Sequence, residues 1–501
     1  MTLDRQSGIF CHVASLPGPQ GVGSLGEPAR RFVDFLARAD QSLWQFCPVG
    51  PTTVDYGNSP YSALSAVAGN PLFVDLADLC DRGWLDGVES VTFDEGVVEY
   101  ERVTTHVEAH LRRAHEGFEA RATPAARKAF TTFRESNGWL DGYALFRALK
   151  TDHDGAAWTE WPRGERDREP DALAAARGRV ADDVAFREFC QFCFDRQWAA
   201  LRAYAAERGV SLVGDIPIYV AGDSADVWAN RDVFQLDDEG HPTAVAGVPD
   251  APGEVFSAQR WGMPLFDWAE LERTDFAWWV GRLDRLFEQC DLVRIDHFRG
   301  LEQYWAIPAD EPDPNVGEWR DVPSEAFFDA LVRTFGDLSE RAFAEDIGHI
   351  TDAVDELRAR YGLASLKLLP FVDWCEDGHP HKPHRYTADT VAYTSTHDSE
   401  TARGAYESLS TDQRVCFDDY FGGDVTRETV HETCIEAVWE SDASLALAQV
   451  QDVLGLGNDA RFNVPGTTAD NWAWRVREEQ LTDAAADWLA GVTRDADRAG
   501  G

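Results

Sequence analysis

Apolar residues along the chain gather into eight short runs, starting near residues 9, 43, 212, 292, 342, 365, 391 and 448, each bounded by polar or turn-forming residues. Ile9 to Val13, Leu43 to Val49, Leu212 to Ile218 and the run from Asp291 to Ile295 read as buried strands. Arg341 to Asp346, Ser365 to Leu369, Thr390 to Thr396 and Leu447 to Val453 read as four more. Between most of them the apolar spacing changes to three and four. Glu27 to Ala39, with Phe32, Phe35 and Leu36 on one face, Ala277 to Gln289, Ser324 to Phe335 and Thr351 to Tyr361 are the clearest helices. Eight strands alternating with helices predict an α/β fold, and near-obligatory right-handed crossovers favour closure into a (β/α)8 TIM barrel. Residues 1–501 then form one catalytic domain with two insertions. Residues 75–200 read as a mostly helical insertion. Residues 221–271, rich in Gly, Pro and Trp, read as a long loop, and loops of that length usually serve a site.

Composition narrows the setting. Of 501 residues, 44% are hydrophobic and 18 are Trp, enough for a large core. There are 88 acidic against 46 basic residues, a formal charge of −42, and only four lysines: Lys128, Lys150, Lys367 and Lys382. So acidic a chain argues against nucleic acid and anionic membrane as partners. An acidic, lysine-poor but aromatic chain is expected to be folded and suited to a high-salt, halophile-like cytoplasm, where counter-ions screen its self-repulsion. The nine cysteines are odd in number and irregular in spacing, which predicts no disulfide framework and a reducing compartment. Cys190 and Cys193 lie in an aromatic helical stretch and read as core. With no secretory signal pattern and no apolar run long enough to span a membrane, a cytoplasmic location is expected.

The chemistry lies at the strand ends. Asp291-Leu292-Val293-Arg294-Ile295-Asp296-His297-Phe298-Arg299-Gly300 starts as a strand and ends in charged groups. Side chains alternate along a strand, so Arg294 and Asp296 face the same way. That pattern fits a buried ion pair as well as a nucleophile held ionised by a cation. Glu345 and Asp398 stand at two further strand ends and would face the same barrel mouth. Carboxyl groups in contrasting environments are what glycosyl transfer requires, one ionised to attack and one protonated to help the leaving oxygen depart. Asp296 suits the first task, Glu345 the second, and Asp398 could favour a cationic sugar ring. Asp346 would point away. His297 and His397 could donate to hydroxyls. Tyr61, Tyr219, Trp228 and Trp261 offer faces on which sugars stack, although such rings are as often core. His379, His381 and His384 read as a surface loop rather than a metal site, and there is no phosphate loop or nucleotide fingerprint.

Seven motifs in order carry a family resemblance: Ser59-Pro60-Tyr61 with Gly69-Asn70-Pro71-Leu72, Gly214-Asp215-Ile216-Pro217-Ile218-Tyr219-Val220 with Asp223-Ser224-Ala225, Gln259-Arg260-Trp261-Gly262, Arg294-Ile295-Asp296-His297-Phe298-Arg299-Gly300, Ala344-Glu345-Asp346, Thr396-His397-Asp398, and Asn463-Val464-Pro465-Gly466-Thr467 with Asn471-Trp472. Spread from about residue 8 to 475, they resemble the 4-alpha-glucanotransferases, or amylomaltases. The resemblance implies a retaining mechanism on α-1,4-glucans and maltooligosaccharides, with no organic cofactor and no catalytic metal. It implies Asp296 as nucleophile, Glu345 as acid and base, and Asp398 as transition-state stabiliser. Tyr61, Asp215, Arg294, His297, His397 and Asn463 would line the subsite of the transferred glucose, and the segment from Pro249 to Pro264, with Trp261, would cover the groove. The chain departs from the family at Ser399-Glu400, at Met263 and in the segment from Pro249 to Gly253, positions that bear on acceptor preference, product length and cyclisation.

Overall fold

The computed structural model of the protein describes residues 3–250, 257–423, 425–467 and 470–499. Among them are twelve strands: β1 (Gln6–Phe10), β2 (Leu43–Gln45), β3 (Ser211–Ile216), β4 (Ala244–Val248), β5 (Gln259–Pro264), β6 (Leu292–Ile295), β7 (Gln303–Pro308), β8 (Glu318–Asp321), β9 (Ala342–Ala344), β10 (Ser365–Leu368), β11 (Thr390–Tyr393) and β12 (Leu445–Gln449). Eight of them pair in the order β10-β11-β12-β1-β2-β3-β6-β9, all in parallel. A parallel bridge between Phe343 and Ala364 ties the last strand to the first and closes the (β/α)8 barrel.

Alternation along these strands sorts the core into an inside and an outside. Leu43, Val213, Leu292, Phe343, Leu366, Leu368, Val391, Tyr393, Leu445 and Leu447 fill the barrel. Their neighbours Trp44, Leu212, Val293, Ala392 and Ala446 pack outward against the helices. Each fully buried aliphatic side chain contributes about 1.5–3 kcal/mol. The same alternation decides which polar groups reach the mouth. Two residues beyond Val213 stands Asp215, beyond Leu292 stand Arg294 and Asp296, and beyond Phe343 stands Glu345.

Strand limits follow pairing rather than apolarity. β1 begins at Gln6, earlier than the run from Ile9 to Val13, because Gln6 through Phe10 are all in register with β12. Val13–Ser15 is a 3-10 turn instead. β12 likewise starts at Leu445, and Val450–Val453, expected as its end, is a helical turn. The stretch between β2 and β3 contains six long or medium helices, Leu76–Asp81, Tyr100–Arg121, Pro124–Ser136, Gly138–Asp152, Pro170–Arg179 and Ala181–Ala206. Cys190 and Cys193 are free, buried thiols of the last of these.

Two expectations are corrected. The segment from 221 to 271 is not a bare loop: β4 and β5 join β7 and β8 in an antiparallel sheet ordered β5-β4-β7-β8. Its central pairing joins Ala244 to Pro308 and Gly247 to Trp305, across about sixty residues of sequence, where local pattern carries no signal. Residues 251–256 of the covering segment lie outside the described residues. The cysteines are also not all reduced, since Cys375 and Cys416 form a disulfide that pins the segment after β10 to helix Thr411–Tyr420. These cysteines are 41 residues apart, so spacing could not reveal the pair.

Candidate active site

The ends of β3, β6, β9 and β11 deliver side chains to one cavity of about 550 Å³ at the barrel mouth. Tyr61, Trp261, Arg294, Asp296, His297, Glu345, Asp398 and Asn463 are on its wall. Asp215 and His397, expected to line the sugar subsite, are instead 3% and 2% exposed and support the wall from behind. Trp228 is fully buried in the helical core, so it offers no sugar face.

Arg294 is the hub. Its Nη1 lies 3.0 and 2.8 Å from the two oxygens of Asp215 and 2.8 Å from Oδ1 of Asp296. The buried ion pair is present, with Asp215 as the partner, and the same cation also reaches Asp296. Tyr61 donates its hydroxyl to Asp215 Oδ2 at 2.6 Å and lies 2.8 Å from His397 Nε2. Because burial, then Asp215, push the Tyr61 hydroxyl well above its ordinary pKa, it keeps its proton. The hydrogen between the two must then sit on His397 Nε2, which also lies 3.1 Å from Asp398 Oδ2. His397 is stacked between Phe10 and Tyr61, at 5.5 and 5.2 Å. Asn463 completes the group by donating Nδ2 to Asp398 Oδ1 at 2.5 Å.

The three carboxyl groups are driven apart in acidity. Burial pushes Glu345 well above its usual range, against the pull of Arg294 and with Asp296 adding to the rise. Burial also raises Asp296, Arg294 only partly offsets it, and Asp215 and Asp398 add repulsion, leaving Asp296 at about 6. Arg294 therefore limits the rise rather than abolishing it. Burial acts on Asp398 as well, but the charge and hydrogen bond of His397, with Asn463 and Arg294, bring it down to about 2. The same burial thus favours the neutral form of Glu345 most and leaves Asp398 the most readily ionised of the three. Asp346 points away, accepting from the Leu366 amide at 2.7 Å and pairing with Arg358 at 3.1 Å.

Trp319, on the cavity wall, was not singled out from the sequence. Arg299 stacks under the Trp319 ring at 3.9 Å, and both line the cavity. Trp319 belongs to β8, in the sheet that local pattern did not reveal. His381 accepts from the Leu368 amide and His384 bonds Tyr420. Among the described residues no cluster of three His, Cys, Asp or Glu side chains could hold a metal ion.

A parallel barrel with acidic groups of contrasting affinity for protons at its mouth is the plan of a glycosyl-transferring enzyme. Comparison with known proteins is specific. The chain belongs to the 4-alpha-glucanotransferase family, whose sequence profile it matches over residues 11–482. It is 44% identical over 493 residues to the 4-alpha-glucanotransferase of Thermus thermophilus, covering 96% of this chain and 97% of that one. It is 41% identical over 495 residues to that of Synechocystis, covering 97% and 96%. The amylomaltase of Streptococcus agalactiae, solved in complex with acarbose, superposes with a TM-score of 0.94 at 33% identity over 99% of this chain and all of that one.

Proposed function

We propose that the protein transfers segments of α-1,4-glucan to the 4-hydroxyl of glucose or another glucan by a retaining double displacement. The observation that carries this is the meeting of Asp296, Glu345 and Asp398 on one cavity wall, with burial pushing Glu345 toward its neutral form and His397 and Asn463 holding Asp398 toward its charged one. Arg294 occupies Oδ1 of Asp296 and leaves Oδ2 free to attack the anomeric carbon. Glu345 gives its proton to the departing glycosidic oxygen, and the bond to that oxygen breaks as the ester to Asp296 forms. The acceptor hydroxyl then loses its proton to Glu345 and displaces Asp296, returning the starting configuration. Asp398, kept negative by His397 and Asn463, favours the positive charge that develops on the ring. Asp215 and His397 hold Arg294, Tyr61 and Asp398 in place.

The test is maltotriose as sole substrate, with products followed by chromatography. Glucose together with longer oligosaccharides is expected; glucose and maltose alone would identify a hydrolase. The pH profile of kcat/KM is expected to be bell-shaped. Asp296 must be ionised, so activity falls roughly tenfold per unit below its value of about 6. Glu345 must be protonated, so activity falls again as pH rises through its elevated pKa.

Trp261 donates its indole to Gln259 at 2.9 Å and stands edge-on to His297 at 4.8 Å over the cavity. As part of the cover it excludes water from the ester. Trp261→Ala should raise the ratio of hydrolysis to transfer several-fold; equal ratios in variant and parent would remove this role.

A high-salt setting fits the excess of 88 acidic over 46 basic residues. Among the described residues no helix is long and apolar enough to cross a membrane. Running the maltotriose assay and thermal melting across a KCl series tests the salt requirement, and greatest stability in dilute buffer would exclude it.

A further inference from the structure

The turn after Asp296 does something the proposed mechanism does not use. His297 has φ 52° and ψ 51°, the left-handed region, although it carries a bulky side chain. That conformation is strained for such a residue, so its surroundings must hold it. The imidazole stands 4.8 Å from the Trp261 ring at 86°. On its other side is Gly300, where a Cβ would come within 2.8 Å of His297 Cδ2 and 2.9 Å of Ile218 Cδ1. The backbone is fixed before and after, by Asp296 N to Ile216 O at 3.1 Å and Phe298 N to Glu345 O at 3.0 Å. The strained turn directs the His297 amide to Oε2 of Glu345, at 2.6 Å.

We propose that His297 is the positioning residue of the acid: its left-handed turn commits Oε2 of Glu345 to accepting a backbone N–H, so the transferable proton resides on Oε1. This rests on Glu345 being the proton donor. A backbone N–H can only donate, so the oxygen it faces is the acceptor, and the hydroxyl of the neutral acid is left to the other oxygen. The charged and titratable groups acting on Glu345 are Arg294, Asp296 and Asp346, with the Tyr393 hydroxyl inside the barrel. Asp346 is in turn matched by Lys367 and Arg358. These groups set how tightly the proton is held; the amide sets which oxygen holds it. The imidazole is not itself the titrating group, because burial, then Arg299, push it down to about 4.

The experiment is the pH profile of kcat/KM on maltotriose for four variants, with thermal melting of each. His297→Gly and His297→Asn tolerate the left-handed turn, so they keep the amide in place and leave the basic limb where the parent has it. His297→Ala and His297→Val pull the turn out of that region. The hydrogen bond to the ionised form is lost, the basic limb moves up by roughly one pH unit, and kcat/KM at the optimum falls by about tenfold or more below the Gly and Asn variants. Should the Val variant not fold, Ala carries the test. A basic limb that stays fixed in Ala and Val, or moves equally in all four, overturns the proposal. Glu345→Gln separates this outcome from a wrong assignment of the acid. It should lose transfer from maltotriose yet still be glycosylated by maltosyl fluoride, whose leaving group needs no proton. Continued turnover of maltotriose by Glu345→Gln overturns the role of Glu345 and the proposal with it; loss there with an unmoved limb in Ala and Val overturns the His297 role alone.

Discussion

Asp296→Asn is expected to lower transfer from maltotriose by about 10⁴-fold or more, because it removes the atom that bonds to the anomeric carbon. The fold should hold. Asn fits the same space, and Arg294 keeps Asp215 as its buried partner at 2.8 Å. The variant also relieves the repulsion that Asp215 and Asp398 exert on Asp296. Thermal melting should therefore be unchanged or slightly raised while activity is lost. Intact-mass measurement after an acid quench adds an independent readout: the parent should carry a glycosyl adduct with maltosyl fluoride and the variant none. An Asn variant keeping more than roughly a hundredth of the activity would be incompatible with covalent catalysis at this residue.

The second large effect is on stability as well as rate. Arg294→Met leaves Asp215 and Asp296 facing each other in the barrel without a cation. Breaking a buried ion pair from one side costs about 3–5 kcal/mol, visible as a fall of several degrees in the melting temperature. Arg294 is also the first group pulling Asp296 down, so without it the acid limb moves above its parent position of about 6. Activity should be recovered in part by raising the pH, up to the basic limb of Glu345. The double variant Arg294→Met with Asp215→Leu should regain much of the stability and none of the rate. An acid limb that does not move would show that Arg294 has no hold on the nucleophile.

Alternation and strand order made much of this site legible from the sequence. The eight barrel strands, and the delivery of Asp296 and Glu345 from inward-facing positions, follow from a period of two along β6 and β9. What stayed hidden depends on distance along the chain. Asp215 and Arg294 are 79 residues apart, and nothing local to either names the other. Trp319 reaches the cavity only because β8 pairs with β7, and β7 with β4, through short strands next to Gly and Pro. Acidity was hidden in the same way. The charge pattern near Asp296 indicates attraction by Arg294, whereas its net rise comes from burial, which no neighbour in sequence reports. The left-handed turn at His297 was also silent, since a histidine carries no mark of the glycine-like backbone it adopts.

The barrel seam has a mechanical consequence. β9, three residues long, is laddered to β6 on one side, at Val293–Ala342, Arg294–Phe343 and Ile295–Ala344. On the other side, among the described residues, it meets the next strand through the Phe343–Ala364 bridge and the hydrogen bond from Ala344 N to Ala364 O at 3.0 Å. Glu345 thus follows a strand with a full ladder on one side and a single bridge on the other, where the Leu366 amide bonded to Asp346 adds a further tie at 2.7 Å. Its aim is fixed from above, by its bonds to the strand and turn that carry Asp296. Glu345 and Asp296 are thereby anchored to one piece of backbone, so their spacing is set by the turn from Ile295 to Phe298 rather than by the seam.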